Sequence, residues 1–137
     1  MARILSIDYG AKRVGLAVSD PLQIIANGLE TVPSNQLMEY LDSYFAREEV
    51  ETIVVGYPTD LDGKATDATH LVEKLILELN KRYPNIKVAQ QDERFTSVDA
   101  KKIILQSGAR KKKRRDKALV DKVSAVLILQ DYMERIG

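Results

Sequence analysis

Residues 3–20, RILSIDYGAKRVGLAVSD, constrain this chain more than any other stretch. Two short apolar runs, residues 4–7 and 14–18, flank a turn-prone basic segment, Asp8-Tyr9-Gly10-Ala11-Lys12-Arg13. Runs of this length, rich in Val, Ile and Leu and separated by a glycine-containing loop, predict a β-hairpin. They are nearly continuous rather than alternating, which predicts strands covered on both faces at the centre of an α/β sheet. Asp8 then closes a buried strand, at the start of a loop carrying Gly10, Lys12 and Arg13. A carboxylate there loses hydration unless a cation or hydrogen-bond donors meet it. Asp8 is therefore the first candidate functional residue; its blander role is an Asx turn that caps the hairpin.

Downstream, residues 21–32 (PLQIIANGLETV) predict a third strand, interrupted near Asn27-Gly28. Pro33-Ser34-Asn35 supplies the turn and N-cap of a helix running to about Arg47. Its apolar residues Leu37, Tyr40, Leu41, Tyr44 and Phe45 follow helical spacing. Residues 52–55 (TIVV) predict a buried strand stopped by Gly56-Tyr57-Pro58. After the loop 59–67 comes a helix to about Tyr83, with Leu71, Leu75, Ile76 and Leu79 on one face, broken by Pro84-Asn85. Residues 86–91 (IKVAQQ) are the next strand, ending in Asp92-Glu93-Arg94. Thr96 or Ser97 caps a further helix with Val98, Ile103, Ile104 and Leu105 inward, closed by Ser107-Gly108, and residues 118–136 make a long final helix. The order βββαβαβαα, with no repeat or linker, predicts a single domain over residues 1–137. Strands joined by helices favour right-handed crossovers and parallel pairing. The expected fold class is α/β: a mixed five-stranded sheet, antiparallel leading strands then parallel ones, flanked by helices in the ribonuclease H-like arrangement.

A chain of 137 residues is long enough to bury a real core. The absence of cysteine excludes a disulfide framework, a thiol nucleophile and a Cys-based zinc site. No apolar run approaches the ~20 residues that cross a bilayer, and the N-terminus has no signal-peptide apolar region, so a cytoplasmic protein with no membrane partner is expected. The net charge of +1 hides an asymmetry: residues 110–117 (RKKKRRDK) carry seven of the 21 basic residues and one of the 20 acidic ones, a local charge of +6 that leaves −5 elsewhere. A mildly acidic body with one concentrated basic tract points to a polyanion. The blander reading is a solvated charge run, but cations so dense repel one another without a partner. Arg110, Lys111, Lys112, Lys113, Arg114 and Arg115 are accordingly candidate phosphate contacts, which carry affinity without sequence information.

Sites in open α/β sheets gather beyond the carboxyl ends of the strands. Asp8 closes the first strand, Glu93 follows the fifth, and Asp121 lies in the first turn or so of the last helix, ahead of the small residues Ser124 and Ala125 that allow close approach to the sheet. Three carboxylates converging at a sheet edge suit Mg²⁺ or Mn²⁺, which prefer oxygen ligands. Two such ions ~3.5–4 Å apart activate water and stabilise the leaving oxygen in phosphodiester cleavage. Taken singly, Glu93 is as readily a surface acid paired with Arg94 or a lysine, and Asp121 a helix-dipole acid. Nucleotide binding by Gly10 and Gly15, as in actin-like ATPases, is discounted: that arrangement needs two domains closing over the nucleotide, and this hairpin has no helix N-terminus of the phosphate-cradling kind.

Four motifs in order resemble those of the YqgF family, also called RuvX-type Holliday junction resolvases. They are Asp8-Tyr9-Gly10 with Lys12-Arg13-x-Gly15-x-Ala17-x-Ser19-Asp20; Val55-Gly56-Tyr57-Pro58 with Asp62-Gly63; Asp92-Glu93-Arg94-Phe95-Thr96-Ser97; and Val120-Asp121 with Ser124-Ala125 and Ile128-Leu129. Tyr57 stands where relatives usually have Leu and Asp60 where they have Asn, and Lys122-Val123-Ser124 replaces a more alanine-rich run; no carboxylate is lost. The resemblance implies a ribonuclease H-like nuclease that processes the 5′ end of precursor 16S ribosomal RNA, with four-way DNA junctions as the alternative substrate. It implies a catalytic, metal-binding set of Asp8, Glu93 and Asp121 for Mg²⁺ or Mn²⁺, two ions with substrate bound. Lys12, Arg13, Arg94 and the tract from Arg110 to Arg115 would hold phosphates. A non-catalytic rRNA-binding assembly factor is the rival from another class, and the sequence leaves monomer and homodimer both open.

Overall fold

The computed structural model describes residues 2–57, 67–92 and 117–136. The hairpin forms where the apolar runs predict it: β1 (Arg3–Tyr9) and β2 (Arg13–Ser19) pair antiparallel, with Asp8 opposite Gly15. β3 (Ala26–Pro33) extends the antiparallel part along β2, with a bulge between Leu16 and Ala17. β4 (Val50–Tyr57) pairs parallel to β1 and β5 (Lys87–Asp92) parallel to β4, completing a five-stranded sheet of order β3-β2-β1-β4-β5. The described helices are a short 3-10 turn (Ser34–Gln36), α1 (Leu37–Arg47), α2 (Asp67–Arg82) and α3 (Lys117–Ile136). The expected mixed sheet is the one observed. The helix predicted to start at Thr96 or Ser97 lies outside the described residues.

Both faces of the central strands are covered, which is why their sequences do not alternate. On one side Leu5, Ile7, Leu16, Ile53 and Val55 belong to a cluster with Leu37, Leu41 and Tyr44 of α1 and Val72, Leu75 and Leu79 of α2. On the other, Ile4, Ala17 and Val54 meet Ala125, Ile128, Leu129 and Tyr132 of α3. No helix of the described residues is long and apolar enough to cross a membrane.

Three local expectations need correcting. β3 starts at Ala26 rather than Pro21, because the Asp20 carboxylate accepts the backbone N–H groups of Leu22 (3.2 Å), Ile24 (2.8 Å) and Ile25 (2.7 Å). Gln23 between them sits at φ 59°, a left-handed conformation incompatible with a strand. On α2 the inward residue is Val72 and not Leu71, which is 43% exposed: the buried stripe is Val72, Leu75 and Leu79, and Leu71 stands one residue off it. No side chain caps the 3-10 turn or α1. Ser34 instead ties down the hairpin loop, its hydroxyl donating to the Ala11 carbonyl (2.7 Å) and its N–H to that of Lys12 (3.0 Å).

The Ile25 N–H, with those of Ile24 and Leu22, holds the Asp20 carboxyl below its ordinary value of 3.8. A lowered native pKa stabilises the fold above the ordinary carboxyl value and is lost as pH falls through the native one. Asp20→Ala should therefore be less stable than wild type at neutral pH, with the gap closing below pH 3.8. Urea denaturation across that range tests this; a gap independent of pH would show that the charge does not pin the loop.

Candidate active site

The site is built on the α3 side of the sheet. Side chains alternate along a strand, so with Ile4 in the α3-side cluster and the Ser6 hydroxyl donating to the Ala125 carbonyl of α3 (2.6 Å), Asp8 follows on the same face. Gly15 and Ala17 occupy that face of β2. Their small size lets α3 settle close: a Cβ on Gly15 would stand 2.1 Å from the Asp121 carbonyl oxygen. Gly15 is the ladder partner of Asp8, and directly opposed Cα atoms of an antiparallel pair lie ~4.5–5.5 Å apart. The backbone of Asp121 thus rests one strand away from Asp8.

The two carboxylates share an open cleft of about 330 Å³ with Gly10, Ala11, Lys12 and Arg13. Its far wall is the hairpin loop. The Gly10 N–H donates to the Arg13 carbonyl (3.0 Å), and a Cβ at Gly10 would lie 2.8 Å from that oxygen, so the turn needs glycine here. Inside the cleft Arg13 Nε donates to Asp121 Oδ2 in an ion pair. Deeper in the α3-facing layer two buried oxygens, Ser124 Oγ one turn beyond Asp121 and Gln91 Oε1 near the end of β5, have no hydrogen-bond partner among the described residues. Gln91 stands opposite Gly56 of β4.

Of the predicted site residues, the structure brings together Asp8, Asp121, Lys12 and Arg13. Glu93, Arg94, Arg110, Lys111, Lys112, Lys113, Arg114 and Arg115 lie outside the described residues. Among the described residues no group of three His, Cys, Asp or Glu meets that could hold a metal. Among the described residues the donors lining the cleft are two carboxylates with no imidazole or thiolate, the chemistry that Mg²⁺ and Mn²⁺ select. Sequence reasoning missed the Arg13–Asp121 pair and the seat on Gly15. The run Gly15-x-Ala17 was the available signal for the second, since small residues at period two leave one strand face bare.

The sequence profile of RuvX, described as a Holliday junction resolvase, matches residues 2–135. The chain belongs to this family. RuvX chains are nucleases, and nuclease is the enzyme class of this one. A Bacteroides thetaiotaomicron protein named "Putative pre-16S rRNA nuclease" is 48% identical over 134 residues, covering 98% of this chain and 97% of its own. One of the same name from Flavobacterium johnsoniae is 44% identical over 133 residues, covering 97% and 96%. Among solved structures, Thermus thermophilus RuvC in complex with a Holliday junction substrate superposes with TM-score 0.58 at 16% identity, covering 100% of this chain and 97% of that one. A second T. thermophilus RuvC structure gives TM-score 0.54 at 14% identity. At such identities the likeness is one of fold, and it agrees with the ribonuclease H-like arrangement expected from the sequence.

Gly15→Ala should drive α3 off the sheet. Overpacking of this kind costs ~1–3 kcal/mol, readable as a lower urea midpoint, and cleavage should fall further than the loss of folded protein explains. Unchanged stability would show that α3 does not seat on Gly15 as described.

Proposed function

We propose that this RuvX-family nuclease hydrolyses phosphodiester bonds of structured RNA in the 5′-end maturation of precursor 16S ribosomal RNA, acting in the cytoplasm as a single domain spanning residues 1–137. The observation that carries the reading is the pairing of Asp8 with Asp121 in one cleft that also holds Lys12 and Arg13, in a family whose relatives bear the pre-16S rRNA nuclease name. Asp8, Glu93 and Asp121 are the metal ligands. They would hold a pair of Mg²⁺ or Mn²⁺ ions, and the chemistry such ions would supply there is activation of a water and neutralisation of charge on the leaving oxygen. Lys12 and Arg13 hold phosphates beside the carboxylates, and Arg94 with the tract Arg110, Lys111, Lys112, Lys113, Arg114 and Arg115 holds those further along the strand. The hairpin loop that carries Lys12 is fixed by the two Ser34 bonds, so the cation reaches the cleft from a rigid turn.

The family description favours a second reading, cleavage of a four-way DNA junction. Such a junction presents paired cut sites and calls for a symmetric dimer. Cleavage of matched precursor-rRNA and junction substrates in Mg²⁺ or Mn²⁺, with EDTA controls, separates the two. RNA cleaved and junction intact is the expected result; the reverse overturns the RNA assignment.

Asp8→Asn should abolish cleavage of the preferred substrate while leaving RNA binding within a fewfold of wild type, because it removes a metal ligand and not a phosphate contact. Turnover like wild type at saturating Mg²⁺ would remove Asp8 from the catalytic set. Replacing Lys111, Lys112, Lys113 and Arg114 by Ala should weaken RNA and DNA binding alike. It should also flatten the dependence of log K on log salt by roughly 0.7–0.9 per lost contact. An unchanged slope would make the tract a solvated surface.

A further inference from the structure

The ion pair inside the cleft sets two roles of one guanidinium against each other. Arg13 Nε is bonded to Asp121 Oδ2, yet a divalent ion held by Asp121 needs the same carboxylate. A metal ion and an arginine compete for carboxylate oxygens, since each replaces the other as counter-charge. Arg13 enters from β2 on the strand face that α3 covers, and its side chain is 36% exposed against 21% for Asp121. The guanidinium therefore has a solvent-facing way out of the pair. It also carries five N–H donors, of which the bond to Asp121 uses one.

We propose that Arg13 is an exchangeable counter-ion of the site. It positions the Asp121 carboxylate and neutralises it while no substrate is bound, and passes to a substrate phosphate as a divalent ion takes its place. The inference rests on the reading of Asp8 and Asp121 as metal ligands and adds to it a coupling. Metal entering the cleft frees Arg13 for phosphate, and phosphate drawing Arg13 away clears Asp121 for metal. By linkage the two effects have the same size. The consequence is a site that fills with metal in step with its substrate, because metal alone must displace the resident cation.

Free Mn²⁺ measured by electron paramagnetic resonance, without nucleic acid, reads the first half. Arg13→Gln should bind Mn²⁺ about two- to fivefold more tightly than wild type, the span of a partly exposed ion pair. Arg13→Lys, which keeps the charge, should stay close to wild type. Binding of a short RNA with and without Ca²⁺, an ion that accepts oxygen ligands in flexible geometry, reads the second half. Arg13→Gln should lose RNA affinity with Ca²⁺ present and little without it, whereas a merely structural residue would shift both equally. Arg13→Met, which keeps the apolar stem without the charge, repeats the series should the Gln variant melt early. Asp8→Asn and Asp121→Asn serve as reference. If both abolish Mn²⁺ binding while the uncharged Arg13 variants bind it no more tightly than wild type, the exchange is wrong and the metal site stands. If neither changes Mn²⁺ binding, the metal reading fails and the exchange falls with it.

Discussion

The distance between α3 and the sheet is the constraint on which the described site depends. It is set at two points, the bare Cα of Gly15 beneath the Asp121 carbonyl and the Ser6 hydroxyl on the Ala125 carbonyl. Side chains at either point that pushed the helix outward would separate Asp121 from Asp8 and open the small apolar cluster around Ile4, Ala17 and Val54. The two faces of the sheet are accordingly unlike. The α1–α2 side is filled by Leu, Ile and Val of full size, as befits two amphipathic helices lying over strands. The α3 side sets Gly15, Ala17 and Ser6 beside Ile4 and Val54, because its helix must come near enough for a backbone carbonyl to rest on a strand.

A second demand falls on the loop between β1 and β2. Its residues bring Gly10, Lys12 and Arg13 to the cleft, and an untethered loop would have to be ordered at each binding event. Ser34 removes much of that cost from the opposite side of the chain, holding Ala11 and Lys12 by two bonds from one residue. α1 begins with no side-chain cap bond at its N-cap residue, Gln36. The 3-10 turn Ser34–Gln36 carries the chain into it, and the Ser34 hydroxyl at the start of that turn is bonded to the hairpin loop.

Much of this was legible in the sequence because period reports burial. Continuous Val, Ile and Leu runs in β1, β2 and β4 marked strands covered on both faces, and Asp8 at the end of one of them lines the cleft. Helical spacing located α1 almost to the residue. What period cannot report is a bond between segments far apart in sequence. Residues 21–25 read as strand because Leu22, Ile24 and Ile25 are good strand formers, and only the three backbone donors gathered by Asp20 show why they loop and stay exposed. Leu71 and Val72 differ by a single helical step, too fine for a pattern to resolve against the tertiary surface it meets. The Arg13–Asp121 pair spans 108 positions and left no periodic trace.

On the proposed reading, the basic tract and the carboxylates divide the work of recognition. Arg115 precedes Asp121 by six residues, and a chain advances at most ~3.6 Å per residue, so their Cα atoms lie within roughly 22 Å of each other whatever the path between them. A polyanion that the tract held would thereby come into the neighbourhood of the cleft. Phosphate contacts fix position without reading bases, so a tract that held phosphates would concentrate nucleic acid of either kind. The choice of bond then falls to what the cleft and the fold of the substrate impose. There Lys12 and Arg13 stand beside Asp8 and Asp121, so on that reading phosphate contact and the metal-holding carboxylates meet in one place.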